Sequence, residues 1–393
     1  MADSKKYIGI YDTLEDVQDA LDNGQLSKPY VAKTMDNGKI DYNSLSPVDY
    51  SQYWCTYYPI DAKIWVKTSA QYSNYTEYTG GDGKIPKSDF PDFYGAGSNG
   101  FNASSTVEKF KYFQFDSTSA TTDFAYAWQG CSSLTSFPLI DTSKGTTFET
   151  TWKGCSSLTE FPLLDLHNGT KFHETWQNCS SLTSFPLINT SNGTQFSYTW
   201  DGCSGLTSFP LINTAKGTNF SNTWKGCSSL KEFPLIDTSK GVDFAYAWHG
   251  CRALTSFPQL DLSNGTEFQS TWNGCSSLKE FPALDLSKGV NFTNAWLDCS
   301  AMTTMPQLDL SAGTNFSWPF GGCDNLTTLG GFGAISADIN LSPCTKLTVE
   351  SLMNVITQAA TVTGKTMTLG STNLAKLTDE QKAVATSKGW TLA

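Results

Sequence analysis

The feature that most constrains this chain is a phrase repeated at an interval that never changes. Cysteines stand at 131, 155, 179, 203, 227, 251, 275, 299 and 323, each 24 residues from the last. A tryptophan precedes eight of them by three positions, from Trp128 to Trp296, and a phenylalanine precedes each tryptophan by four, from Phe124 to Phe292. A fixed short period without insertions marks a solenoid, because one such unit cannot bury its apolar face alone and stacked neighbours can. The expected fold is therefore a repeat solenoid of 24-residue rungs.

Reading down the columns predicts the backbone of a rung. The residue before each Cys is Gly, Asn or Asp throughout (Gly130, Asn178 and Asp298 among them), the residue types that tolerate left-handed φ. Phe148, Trp152 and Cys155 follow at i, i+4 and i+7, the spacing of a short helical turn. The column Gly145 to Gly313 is Gly in every rung, which predicts a turn with positive φ. Pro138 and its equivalents cannot donate to a ladder and should open a strand. The "LIDT" that follows alternates outward and inward positions, as in a half-buried strand. This places a parallel β-sheet on one side and short helical turns on the other. The core should comprise Leu134, Phe137, Ile140, Phe148, Trp152, Cys155 and their equivalents.

The phrase "GCSSLTSFPLIDTS" resembles the BspA-like leucine-rich repeat of bacterial and phage surface proteins, over roughly residues 121–323. Tryptophan here replaces the Met-Phe of many relatives. The resemblance implies a leucine-rich-repeat-like fold and a role at a surface.

Both ends depart from the period. Residues 1–110 hold twelve of the sixteen tyrosines and read as a small β-rich domain. Within it, a helix is expected over 12–24, a hairpin turning at Asn37-Gly38 and a strand near 62–69. Its opening is similar to the N-termini of gut-bacteriophage structural proteins. Residues 111–330 form the solenoid. Residues 331–393 read as an α/β capping repeat. In it, Val349, Leu352, Met353, Val355, Ile356 and Ala359 form an apolar helical face after an N-capping Thr348, a strand follows, and a second helix opens with Thr378 and Gln381 at capping-box spacing.

Composition then excludes functions. Charged residues are 16% of the chain, the net charge is −11, and Arg252 is the single arginine, so a phosphate-gripping surface and nucleic acid are not expected. No apolar run is long enough to span a membrane, and the start lacks the apolar core of a secretion signal. The expectation is a chain that assembles in a reducing cytoplasm with its first residues docked. The ladder cysteines then read as buried free thiols rather than disulfides or metal ligands.

Candidate ligand contacts are few. Tyr126, Tyr198 and Tyr246 share one outward column and could stack on sugars. The outward column Asp141, Asp165, Asn189, Asn213, Asp237, Asp261, Asp285 and Asp309 could bind calcium or sugar, or could cap its own turns. His173 and His249 read as surface residues, and Glu160, Glu232 and Glu280 as an exposed face. No catalytic residue, metal site or cofactor is expected, and the chain reads as non-enzymatic. With the resemblance, this implies a bacteriophage virion structural protein, a fibre or decoration. Its partners would be other virion proteins through residues 1–110, a host-surface glycan or protein, and further copies of itself. A bacterial cell-surface adhesin and a polysaccharide depolymerase are the competing readings.

Overall fold

The computed structural model describes residues 122–393 apart from 131, 133 and 138–141, together with six short strands nearer the start. Of those strands, β1 (Tyr30–Val31) pairs antiparallel with β2 (Ser46–Pro47). The others, β3 (Trp54–Tyr58), β4 (Lys63–Lys67), β5 (Tyr75–Glu77) and β6 (Phe113–Phe115), make an antiparallel sheet of order β5-β4-β3-β6. The helix expected over 12–24, the turn at Asn37-Gly38 and the docked first residues lie outside the described residues.

From residue 122 the chain is a repeat solenoid. Its inter-rung hydrogen bonds, however, concentrate where helical turns were expected. Phe148 N–H donates to Lys171 O at 3.0 Å, Thr150 N–H to His173 O at 2.8 Å, Trp152 N–H to Thr175 O at 2.8 Å and Gly154 N–H to Gln177 O at 2.7 Å. The amides between them fold back, Thr151 onto Phe148 O and Lys153 onto Thr150 O, both at 3.3 Å. Left-handed residues four apart, Thr150 (φ 58) and Gly154 (φ 77), reorient the peptides so that alternate N–H groups all point along the solenoid. The result is a wall of successive turns rather than a helix. It begins at a ladder of single parallel bridges running from Asp123 and Thr147 to Asn315.

The strand expected after each proline is also replaced. Leu164 N–H bonds back to Pro162 O, and Ile188 N–H to Pro186 O, both at 2.9 Å, which closes a three-residue γ-turn. An amide satisfied by its own proline carbonyl is lost to any ladder. Each proline thus ends a short extended step instead of opening a strand. Among the described residues of the array, only β7 (Thr304–Met305, just before Pro306) and β8 (Thr328–Leu329) pair as named parallel strands.

The always-Gly column has another cause than the one expected, since none of Gly145 to Gly313 lies at positive φ. A Cβ on Gly145 would collide with the Phe148 ring, and the same holds for Gly217 against Phe220. Space is the constraint there, not backbone freedom. The column before Cys does sit at positive φ, including Asn178 (φ 61) and Asp298 (φ 60).

Three aromatic stacks fill the interior. Rings of the Phe124 series lie 5.2–5.8 Å apart, those of the Trp128 series 5.3–6.2 Å and those of the Phe137 series 5.7–6.4 Å. Each indole from Trp152 to Trp272 is also edge-on to two phenylalanines: Trp152 lies 4.8 Å from Phe161 and 5.4 Å from Phe137. The described cysteines of the ladder are buried, those from Cys179 to Cys323 as free thiols, and they do more than fill space. Cys179 Sγ donates to Trp152 O at 3.1 Å, and Cys323 Sγ to Trp296 O at 3.0 Å. Threonine adds a parallel series, with Thr175 Oγ1 bonding Phe148 O at 2.8 Å and Thr223 Oγ1 bonding Phe196 O at 2.9 Å.

After β8 the pattern changes to β9 (Ile339–Asn340), α1 (Val349–Gln358), β10 (Lys365–Thr368), α2 (Gly370–Leu374), α3 (Asp379–Ser387) and β11 (Trp390–Leu392). The three strands form a parallel sheet of order β11-β10-β9. Thr348 caps α1 by accepting Ser351 N–H, and Thr378 with Gln381 forms the capping box of α3. Leu352, Val355, Ile356 and Ala359 are buried, while Val349, one turn too early to reach the core, is exposed. A polar stripe on α1 closes the edge of β8. Ser351 Oγ accepts Leu329 N–H and donates to Thr327 O, and Asn354 and Gln358 bond the carbonyls of Leu329 and Gly330.

Candidate functional site: an outward column held in left-handed backbone

Tyr126, Tyr198 and Tyr246 occupy the left-handed position of the turn wall. The whole column is Tyr126, Thr150, Glu174, Tyr198, Asn222, Tyr246, Ser270, Asn294 and Trp318, with φ between 51 and 61. Such a φ costs a non-glycine residue about 1–3 kcal/mol, and most for β-branched residues such as Thr150. Glycine reaches this conformation without a steric penalty, yet it occupies none of the nine rungs. The backbone alone would favour Gly, so the column retains side chains for what they contact.

Each tyrosine has its own polar surroundings, and the structure does not bring the three together. Tyr246 accepts a hydrogen bond from Gln269 Nε2 at 2.9 Å, lies 5.8 Å from the His249 ring, and has Lys225 Nζ 6.0 Å from its ring centroid. Tyr198 meets the His173 ring edge-on at 5.8 Å. Burial pushes the Tyr126 hydroxyl above its usual value, with the Glu149 and Glu174 carboxylates adding to the effect. Elsewhere in the column, Thr150, Asn222 and Ser270 are buried against the wall.

Beside this column runs a second one that sequence reading did not select: Lys153, Gln177, Asp201, Lys225 and His249. Lys153 Nζ pairs with Glu174 Oε2, and Gln177 Nε2 donates to Asp201 Oδ2 at 2.7 Å. Burial raises the Asp201 carboxyl, with the Gln177 amide opposing it, and burial followed by Lys225 lowers His249. His173 and His249 are half-buried rather than surface residues: Tyr198 of the next rung lies against His173, and Tyr246 of the same rung against His249. The 24-residue spacing marks this column as outward and variable, but its changing residue types point to no single ligand chemistry. Trp318, 60% exposed, is the tyrosine column's counterpart in the last full rung and was overlooked for the same reason.

The Asp/Asn column occupies a different turn. The Oδ1 atoms of Asp165, Asn189, Asn213, Asp237, Asp261, Asp285 and Asp309 each accept the N–H two residues on, at 3.0–3.1 Å. The Ser239 hydroxyl and then its N–H hold Asp237 below the usual carboxylate range, and Ser287 does the same for Asp285. Asp141 lies outside the described residues. Glu160, Glu232 and Glu280 are exposed. Among the described residues no group of three or more His, Cys, Asp or Glu could hold a metal ion, and no helix is long and apolar enough to cross a membrane. One apolar feature stands out. Leu163, Leu187, Leu211 and Leu235, at the tips of successive γ-turns, are 61–63% exposed.

No protein-family model and no curated protein matches the sequence. Among solved structures, an internalin from Listeria monocytogenes matches at 13% identity and a TM-score of 0.27, over 73% of this chain and 82% of that one. A leucine-rich repeat protein from Bacteroides ovatus matches at 16% identity and a TM-score of 0.28, over 60% of this chain and 76% of that one. Superpositions this loose carry no weight beside the chain's own hydrogen bonds and stacking.

Proposed function

We propose that this protein is a non-enzymatic structural component of a bacteriophage virion, a fibre or decoration, whose solenoid displays the turn wall to a host surface or glycan. Residues 1–110 would be the attachment end toward other virion proteins, 111–330 the displayed leucine-rich-repeat-like array and 331–393 its capping repeat. Several copies would assemble on the particle surface. The observation that carries the reading is the left-handed column: nine consecutive side chains kept at a strained position, with aromatic residues at four of them. Tyrosine and tryptophan present large, stiff surfaces with a polar handle, which suits recognition.

The test begins with a mass-spectrometric inventory of purified particles. Particles should contain the chain, and a Tyr198→Ser/Tyr246→Ser double variant should bind host cells at least about tenfold more weakly at an unchanged melting temperature. Equal binding by the variant removes the turn wall from the function. Recovery from bacterial envelopes instead of particles replaces the virion reading with that of a cell-surface adhesin, and release of reducing ends from a surface polysaccharide replaces it with a depolymerase.

A further inference from the structure

The turn wall ends in a cleft of about 330 Å³ between the last full rung and the C-terminal sheet. In each described rung before it, the wall's alternate amides donate to the next rung, as Phe292 N–H does to Asn315 O and Asn294 N–H to Ser317 O, both at 2.8 Å. The next segment cannot continue the pattern because it is four residues shorter. "NFSWPFGGC" (315–323) is followed by "NLSPC" (340–344), and both open with the same turn, in which Asn315 or Asn340 Oδ1 accepts from the serine two residues on. By that alignment Asn340 O and Ser342 O stand where Asn315 O and Ser317 O stood one rung earlier, but neither accepts from Phe316 or Trp318. Among the described residues neither backbone N–H has an acceptor, and both residues line the cleft.

The rest of the lining supplies a complementary set. Asn315 and Asn340 have their Oδ1 atoms occupied by Ser317 and Ser342, which leaves their amide N–H groups as donors. Asp338 supplies the acceptor: Thr366 N–H holds its Oδ1 at 2.6 Å, and Lys365 Nζ stands 4.0 Å from its Oδ2. Trp318 contributes an exposed aromatic face. The Lys365 and Asp338 charges balance, and the chain carries −11, so an anion would meet a carboxylate and an unfavourable field. A ligand that both donates and accepts, and that has an apolar face for the indole, matches every group present. A sugar ring is such a ligand. The volume is at the low end of the roughly 300–1,000 Å³ of small-molecule pockets, room for one or two rings.

We propose that this cleft binds a neutral saccharide, stacked on Trp318 and hydrogen-bonded by the unpaired Phe316 and Trp318 amides, Asn315, Asn340 and Asp338. The site gives the attachment reading a ligand class at one position, but it does not depend on where the protein resides. The experiment titrates the full chain with glucose, galactose, mannose and N-acetylglucosamine, and with glucuronate and galacturonate, by calorimetry and saturation-transfer NMR. At least one neutral sugar should bind with a millimolar or lower Kd. Trp318→Ala should weaken it about tenfold or more. Asp338→Asn, which keeps an oxygen for Thr366 N–H, should weaken it about fivefold, and the matching uronate should bind no better than that variant binds the neutral sugar. Silence from the whole neutral panel, preference for uronates, or wild-type binding by both variants overturns the proposal. Host adsorption that persists without sugar binding removes this site and leaves the attachment reading standing.

Discussion

The interior rungs and the C-terminal segment solve one problem, how to finish a buried surface, by opposite means. A middle rung is held by copies of itself. Trp224 stacks on Trp200 and Trp248 at 6.0 and 5.3 Å, and Cys227 Sγ reaches Trp200 O at 3.3 Å, contacts repeated almost unchanged along the array. After Cys323 no further copy follows, and single-use polar groups take over. Ser351 and Gln358 bond the edge of β8, buried Asn373 donates to three carbonyls, and Lys388 Nζ bonds the carbonyls at the end of α1. Phe320 and Phe332, stacked at 5.5 Å, close the aromatic column without another indole. Repetition gives stability through identical neighbours, while termination needs particular residues at particular places.

The largest expected effect concerns the thiol ladder, whose burial Cys344 in the C-terminal segment shares. Burial pushes Cys179 and Cys275 up to about 12 from a usual value near 9, and it raises Cys203, Cys227, Cys251 and Cys299 as well. The folded state keeps these protons at a pH where the unfolded chain has released them. Their contribution is therefore complete below pH 9 and falls as pH rises from 9 to about 12. Each buried thiol contributes about 1.4 kcal/mol per pH unit in that window, so the array should lose several times that. Denaturant titrations between pH 8 and 11 measure the slope. A stability that stays flat to pH 11 would sink the buried thiol ladder.

Next in size is the aromatic column against the polar closure. Trp224→Ala should cost about 3–5 kcal/mol, the usual loss for a buried aromatic. Trp224→Phe should cost much less, because it keeps a ring in the stack and removes an indole N–H that has no acceptor. Ser351→Ala should fall between them at about 1–3 kcal/mol, since it strands Leu329 N–H and Thr327 O. Chemical denaturation of the three variants orders them. Equal losses for Trp224→Ala and Trp224→Phe would mean that stacking contributes little.

The smallest effect has the opposite sign. Ser270 is buried at φ 52, so Ser270→Gly should stabilise the chain by up to about 1 kcal/mol by relieving the left-handed strain. A destabilisation would show that the serine side chain itself supports the wall.

The repeat frame and the inward columns were legible in the sequence because period and residue type are local facts. Trp, Phe and Cys recur at 24 residues, and one such rung has nowhere else to hide them. The capped helices after residue 348 were legible too, since Thr348, Thr378 and Gln381 act within one turn of chain. The candidate site was half-legible. Three matching tyrosines revealed their column, whereas Trp318 and the mixed Gln177, Asp201, Lys225 and His249 column did not announce themselves.

What only the tertiary structure decided is which side of the rung carries the inter-rung hydrogen bonds. Phe148, Trp152 and Cys155 at helical spacing are equally compatible with a helix and with turns whose alternate amides leave for the next rung. The choice falls to the neighbour, because a carbonyl 23 residues ahead at 2.8 Å competes with one four residues behind, and sequence spacing does not contain that distance. The glycine column shows the same division. Its identity was plain in the sequence, but its cause, a phenylalanine ring lying over the Cα, exists only once the rung has closed.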